Sequence, residues 1–161
     1  MTEECPFCVI AQKRGKGIRI VYEDKDIIAF LYPTAALGHI CVVPKQHIPI
    51  FMQNKEEITK KMFEVAHKLA QAVNVPLESN STNIVINTGV DQVFSHLSLH
   101  IVPRKSGDSI NLQWEPKQMS EEDLNSLEQK LMSAGAPAEE EKKETKEISE
   151  EYYQKYLRRI P

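Results

Sequence analysis

The sequence has few cysteines, no excess of basic residues and no long apolar run. Its 161 residues carry a formal net charge of -3, whereas proteins that bind nucleic acid or acidic membranes usually have a basic surface. No apolar stretch approaches the roughly 18 residues that span a bilayer, and no basic segment followed by an apolar one opens the chain as in a signal peptide. Three cysteines are an odd number, more typical of a reducing cytoplasm than of a disulfide framework. We therefore expect a cytoplasmic globular protein with neither nucleic acid nor a membrane as its partner.

Apolar and β-branched runs predict five strands and one long helix. The strands are expected at residues 18–23, 26–32, 38–44, 82–88 and 96–102, the first two joined as a hairpin at Asp24-Lys25. Asn54 is a candidate N-cap for a helix that reaches about Val73. Helical spacing gives this helix one apolar stripe, formed by Ile58, Met62, Val65, Leu69 and Val73.

The chain after Arg104 changes in character. Residues 105–133 are expected to be a C-terminal extension, with a helix that a capping box opens at Ser120 and that ends near Met132. Residues 134–161 are dense in charges of both signs and are expected to form a helical tail. We expect the tail to pack a thin apolar face on the body or a second subunit, or alternatively to bind a partner protein. That face consists of Ile148, Tyr152, Tyr156 and Ile160.

The fifth predicted strand carries an alternation of polar and apolar residues. Strand geometry places three polar side chains on one face, those of His96, Ser98 and His100. The residues between them, Leu97, Leu99 and Ile101, then face the core. Ionisable groups aligned on a strand built for burial indicate a functional site, although an exposed sheet face can also hold two histidines without a function.

Several motifs in order resemble the histidine triad (HIT) family, most closely its Hint-like and archaeal-looking branch. They are Gly38-His39-Ile40, Val43-Pro44-Lys45, Asn87-Thr88-Gly89 and His96-x-x-x-His100, within a match from about Cys5 to Arg104. The resemblance implies an α+β fold in which an antiparallel sheet of about five strands carries a long packed helix. It implies a HIT domain over residues 1–104, a homodimer, and binding of purine nucleotides. Family members hydrolyse or transfer nucleotidyl groups from phosphoramidates and dinucleoside polyphosphates.

Ser98 stands at the position of the family's middle histidine. In the family that imidazole attacks the α-phosphorus and forms a labile nucleotidyl-imidazole. A serine hydroxyl is a poor nucleophile without an adjacent base, and alternate strand residues lie roughly 7 Å apart, which would leave His100 out of reach. The resemblance therefore assigns the catalytic positions to Ser98, His100 and His39 but predicts weak or absent nucleotidyl hydrolysis.

The same resemblance predicts how a nucleotide such as AMP or GMP would be held. His39, Ser98 and His100 would lie at the phosphate, with Asn87 and Gln92 forming hydrogen bonds nearby. The nucleobase would lie against Ile18, Ile27 and Phe30. Tyr32 follows Phe30-Leu31, where the family usually has an acidic or amide residue that binds the ribose.

The CxxC motif of Cys5 and Cys8 has the spacing of a zinc knuckle or a redox pair, and two unligated cysteines remain the alternative. In zinc-bearing HIT proteins a similar motif is joined by two histidines, which match His47 and His96 here. Two thiolates and two imidazoles would form a closed tetrahedral site, hence a structural Zn²⁺ in the N-terminal arm. Cys41 is expected to be a buried apolar residue.

These observations leave three hypotheses about the function, in order of decreasing preference. The first is a purine-nucleotide-binding protein with little or no hydrolase activity. The second is an enzyme that either works through serine chemistry or has been inactivated by a His-to-Ser substitution. The third is a zinc-stabilised scaffold that binds a protein through its sheet edge or through the tail.

Overall fold

The computed structural model describes residues 5–13, 15–79, 81–112 and 114–135. The fold divides between Ile110 and Asn111 into two compact units. The predicted helical tail, with its apolar face, lies outside the described residues except for a turn at residues 134–135. Among the described residues, no helix combines the length and hydropathy that a membrane span requires.

A five-stranded antiparallel sheet with helices around it forms the first unit. The strands are β1 (Ile20–Glu23), β2 (Ile27–Leu31), β3 (Ile40–Pro44), β4 (Ser81–Val85) and β5 (Leu99–Arg104), in the order β1-β2-β3-β5-β4. The helices are α1 (Pro6–Ala11) and α2 (Glu56–Leu77), with short 3-10 turns at Phe51–Gln53 and Gly89–Asp91. This architecture confirms the predicted α+β fold with an antiparallel sheet and a long packed helix.

Asp24 closes the predicted hairpin between β1 and β2. Its Oδ1 accepts hydrogen bonds from the backbone amides of Asp26 and Ile27, both at 2.8 Å. The Tyr22 hydroxyl donates to the other carboxylate oxygen at 2.7 Å. These bonds to the charged form hold the pKa of the Asp24 carboxyl well below its usual value, although burial alone would raise it.

Helix α2 differs from its prediction at both ends. Asn54 is not the N-cap: its side-chain amide donates to Thr59 Oγ1 at 3.0 Å, and Lys55 caps the helix without a side-chain bond. The helix also continues past Val73 to Leu77 and includes Pro76 before it ends at the left-handed Glu78. The additional turn brings Leu77 next to Gly38, just before β3.

The sheet buries side chains on both faces, so β2 and β3 are continuous apolar runs. Helix α2 covers one face over Ile27, Ala29 and Val42. Helix α1 covers the other with Phe7, which packs on Ile28, Phe30 and Cys41. The N-terminal arm, for which the sequence predicts no regular element, thus contains a helix. Burial raises the pKa of the Cys41 thiol, as expected for an apolar environment.

Helix α3 (Glu121–Ser133) is the regular element in the described part of the second unit. The Ser120 hydroxyl accepts a hydrogen bond from the backbone amide of Asp123 at 3.1 Å, as the predicted capping box requires. The described residues of this unit are exposed.

Candidate functional site

The segment that enters β5 aligns the predicted polar residues on one side. β5 itself begins at Leu99, three residues later than predicted, but the backbone amide of Leu97 donates to the Ile48 carbonyl at 2.6 Å and fixes the preceding residues. Leu97, Leu99 and Ile101 are fully buried in the core under α2. The predicted alternation is therefore present, and His96, Ser98 and His100 lie on the side toward α1.

Three side chains on this side form a continuous chain of hydrogen bonds. Ser98 Oγ lies 3.1 Å from His100 Nε2, and His100 Nδ1 lies 3.0 Å from His39 Nε2. His39 Nδ1 lies 2.9 Å from the Thr34 carbonyl oxygen. The expectation that Ser98 and His100 are too far apart for a hydrogen bond is wrong, because the long imidazole reaches back along the strand.

The Thr34 carbonyl sets the direction of each hydrogen bond in this series. A carbonyl only accepts, which assigns the proton of His39 to Nδ1 and makes its Nε2 an acceptor. The Thr34 hydroxyl, 3.2 Å from the same Nδ1, can rotate to accept as well and is compatible with this assignment. His100 must then donate from Nδ1, which leaves its Nε2 as the acceptor for the Ser98 hydroxyl. Burial lowers the pKa of His39, and burial with the nearby His39 lowers the pKa of His100 to about 4. Both rings are therefore neutral at pH 7, as this pattern requires.

Gly38 brings His39 to this position. Its φ of +83° lies in the left-handed region, and a Cβ there would be 2.6 Å from Leu77 Cδ1. Only glycine allows the chain to turn this closely over the end of α2 and then enter β3. The His39 ring consequently lies beside that of His100, with centroids 5.1 Å apart.

Ser98 and His100 open into a narrow cleft of about 40 Å³. Asn87 and Gln92, the two predicted hydrogen-bonding residues, both line it, and Gln92 Nε2 donates to the Pro49 carbonyl at 2.6 Å. The remaining wall is largely aromatic and was not predicted; it consists of Phe7, Tyr32 and Phe94 together with Asp91 and Val93. The sequence feature that could have pointed to Phe7 is its position within the CxxC motif.

A wider groove of about 670 Å³ lies on the other side of Tyr32, which borders both spaces. Ile18, Arg19 and His39 line it. The predicted wall for a nucleobase is corrected in part, because Ile27 is fully buried under α2 and Phe30 is 1% exposed behind Phe7. Neither is among the described residues that line the cleft or the groove.

Cys5, Cys8, His47 and His96 form a second cluster, next to the cleft. Their ligand atoms all lie within 4.8 Å of one another, so the group can hold a metal ion. His96 Nδ1 lies 3.4 Å from Cys5 Sγ, and His47 Nδ1 lies 3.3 Å from Cys8 Sγ. Helix α1 begins directly after Cys5 and brings Cys8 back to the same side one turn later.

The donor set fits Zn²⁺. Tetrahedral zinc with Zn–S of about 2.3 Å and Zn–N of about 2.0 Å separates sulfur from nitrogen by about 3.5 Å, close to the distances here. His96 Nε2 donates to the Pro44 carbonyl at 2.9 Å, so its Nδ1 is free of a proton and directed at the thiols. Burial also lowers the pKa of His96, which favours the neutral ring that a metal needs.

The chain is similar to proteins of one known family. Residues 15–107 match the model of the HIT domain. Protein hit of Bacillus subtilis is 33% identical over 116 residues, which cover 70% of this chain and 79% of that protein. The crystal structure of a HIT family member from Bacillus subtilis superposes with a TM-score of 0.75 at 30% identity, covering 84% of this chain and all of that one.

A zinc-bound histidine triad family protein from Mycobacterium smegmatis is also similar, with a TM-score of 0.63 and 30% identity over 81% of this chain and 97% of that one. The matched domain spans more than half of the sequence and includes His39, His47, His96, Ser98 and His100. The chain therefore belongs to the HIT family of nucleotide-binding hydrolases and transferases.

Proposed function

We propose that the protein binds a purine mononucleotide such as AMP or GMP and turns over nucleotidyl substrates weakly or not at all. The observation that carries the proposal is the hydrogen-bonded set of Ser98, His100 and His39 at the cleft. It retains two histidines of the family's site, while Ser98 occupies the place that the resemblance assigns to the attacking imidazole.

The two spaces beside Tyr32 support a nucleotide that extends from one to the other. The groove has the size of a typical small-molecule site and offers Ile18 as an apolar surface for a purine. Arg19, also in the groove, offers the positive charge that a phosphate needs. The phosphate then lies toward His39 and His100, near the Asn87 amide.

The chemistry of Ser98 is the reason for the weak turnover. A neutral imidazole attacks phosphorus at pH 7, and the P–N bond it forms is readily broken by water. A serine phosphodiester lacks that labile bond. Loss of a catalytic nucleophile can reduce the rate by about 10⁶-fold.

Cys5, Cys8, His47 and His96 are proposed to hold a structural zinc ion, which would cross-link α1 to the segments that follow β3 and precede β5. All four positions of a tetrahedral ion would be occupied by protein ligands, so the ion would supply stability and no open coordination site.

The chain is further proposed to act as a homodimer. β4 is an edge strand of the sheet, and its Ile84 is 46% exposed. An exposed edge strand offers unpaired backbone groups with which a second chain can pair. Sedimentation equilibrium should give a dimer, and Ile84→Lys should shift it toward the monomer.

Calorimetric titration of the zinc-loaded protein with AMP and GMP tests the proposal. Binding in the micromolar to low-millimolar range is expected. Arg19→Ala should weaken it about tenfold, the effect of losing one charge-assisted bond of about 1.4 kcal/mol. Lys16→Ala removes a nearby exposed cation that does not line the groove and should leave the Kd unchanged. Absence of binding at millimolar nucleotide would refute the proposal.

A further inference from the structure

The Ser98 hydroxyl is positioned to donate its proton to a base. A serine that merely filled the space of a histidine would not need this arrangement. Ser98 is 6% exposed and lines the cleft, so its oxygen faces the space where a ligand would lie. The proton pattern set by the Thr34 carbonyl leaves His100 Nε2 unprotonated and directed at that oxygen. A hydroxyl beside an oriented base is the arrangement of an activated nucleophile.

We propose that Ser98 is itself a nucleophile, which takes a nucleotidyl group from an activated nucleotide and retains it as a stable phosphodiester. The inference rests on the proposed nucleotide binding and adds a covalent step to it. The co-substrate is a nucleotide whose α-phosphorus carries a nitrogen leaving group, such as a nucleoside phosphoramidate or phosphorimidazolide.

The step involves one bond made and one broken at phosphorus. Ser98 Oγ attacks the α-phosphorus, and its proton passes to His100 Nε2. The Oγ–P bond forms as the P–N bond breaks, and His100 then returns the proton to the leaving nitrogen. No electrons are gained or lost. The products are a nucleotidyl-serine and a free amine or imidazole.

The three side chains have different roles in this step. Ser98 is the nucleophile and His100 the general base. His39 is a positioning residue, because its Nε2 accepts the proton of His100 Nδ1 and so keeps the other ring nitrogen free for the hydroxyl. The arrangement has the logic of a Ser-His-acid triad, with a neutral histidine and a backbone carbonyl in place of the acid.

The adduct should accumulate rather than turn over. A phosphodiester of serine is much more resistant to water than a nucleotidyl-imidazole. One chain would therefore consume one activated nucleotide and stop. This behaviour separates the proposal from ordinary hydrolysis, which releases nucleotide continuously.

The experiment incubates the zinc-loaded full chain with adenosine 5′-phosphorimidazolide and follows intact mass. Growth of a species with one added adenylyl group, mapped to Ser98 by peptide mass spectrometry, is expected. The adduct should survive mild acid, which breaks the P–N bond of an adenylyl-histidine. Ser98→Ala should abolish the adduct, whereas Ser95→Ala, which removes an exposed serine three residues earlier, should keep it.

Further variants test the base and its positioning residue. His100→Gln should slow adduct formation by about 10²–10⁴-fold, the usual contribution of a general base. His39→Gln retains an acceptor for His100 and should keep most of the rate, whereas His39→Leu should lose it. Equal losses in both His39 variants, at unchanged thermal stability, would contradict the positioning role.

AMP titration of the same samples separates the two proposals. AMP binding without a Ser98 adduct would overturn the inference and leave the proposed function intact. An adduct that is acid-labile, or that persists in Ser98→Ala, would also overturn it. An adduct on Ser98 without measurable AMP binding would support the inference and refute the proposed function, and absence of both would refute both.

Discussion

Acidification should destabilise the protein through His100, and replacing His100 with glutamine should remove this effect. Burial together with the neighbouring His39 lowers the pKa of His100 from 6.5 to about 4 in the folded state. The unfolded chain therefore binds a proton between these values, where the folded chain does not. Acid stabilises the state that binds more protons, which here is the unfolded state. The free energy of unfolding must therefore fall as the pH decreases.

The magnitude follows from the two pKa values. A difference of 2.5 units between 6.5 and about 4 corresponds to about 3.4 kcal/mol in total. The contribution is fully present above pH 6.5 and is lost as the pH falls through that value toward 4. Between pH 7 and pH 5 the loss amounts to about 2 kcal/mol. Burial lowers the pKa of His39 as well, which adds to the loss in the same direction.

Urea unfolding at a series of pH values between 7 and 5 measures this loss. Other acid-sensitive groups such as the Asp24 carboxyl are common to both proteins, so the difference between wild type and His100→Gln isolates His100. That difference should change by about 2 kcal/mol across the range. His67→Gln, at an exposed histidine on α2, controls for removing a histidine as such. Parallel curves for wild type and His100→Gln would refute the reasoning.

Four other outcomes are expected. Cys8→Ser should remove the bound zinc seen by atomic absorption, with a stability loss of about 4 kcal/mol when free zinc exceeds its Kd a thousandfold; unchanged zinc content would contradict the site. Gly38→Ala should destabilise by roughly 2–4 kcal/mol, because its φ of +83° strains an alanine and its Cβ would also meet Leu77. Gly89→Ala, with φ of +81° but open space, has the strain alone and should lose only about 1 kcal/mol; similar losses in urea unfolding would be inconsistent with the contact. Leu97→Ala should lose roughly 2–5 kcal/mol from the core, and a smaller loss would mean that the site collapses around it. Ser98→His should raise turnover of an adenosine phosphoramidate by orders of magnitude, and no gain in a folded, AMP-binding variant would contradict the assigned position.

The sequence predicted features that depend on local pattern. Leu97, Leu99 and Ile101 alternate with polar residues, and strand geometry alone places them in the core. Asp24 ends one apolar run just before another, which predicts the hairpin. The resemblance to a family added His47 and His96 to the two cysteines, a grouping that spacing along the chain does not reveal.

Side-chain reach and tertiary packing explain what the sequence did not predict. The distance between Ser98 and His100 was overestimated because strand spacing describes backbone positions, whereas an imidazole extends several ångströms from its Cα. Ile27 was assigned to the nucleotide-binding side of the sheet, whereas it faces α2. Both faces of β2 are buried, so its sequence has no alternation of polar and apolar residues that would show which side chains share a face. Pro76 does not shorten α2 to Val73: it lies in the last turn, and the helix ends two residues later at the left-handed Glu78.

Phe7 belongs to the surroundings of both sites. It stands in α1 between the two cysteines, its ring lies 5.7 Å from that of His96 and 5.2 Å from that of Phe94, and it lines the cleft at Ser98. A zinc ion and a nucleotide, if both bind as proposed, would therefore have this residue as a common neighbour. Thermodynamic linkage then imposes a symmetry: the factor by which zinc changes the affinity for a nucleotide is the factor by which the nucleotide changes the affinity for zinc.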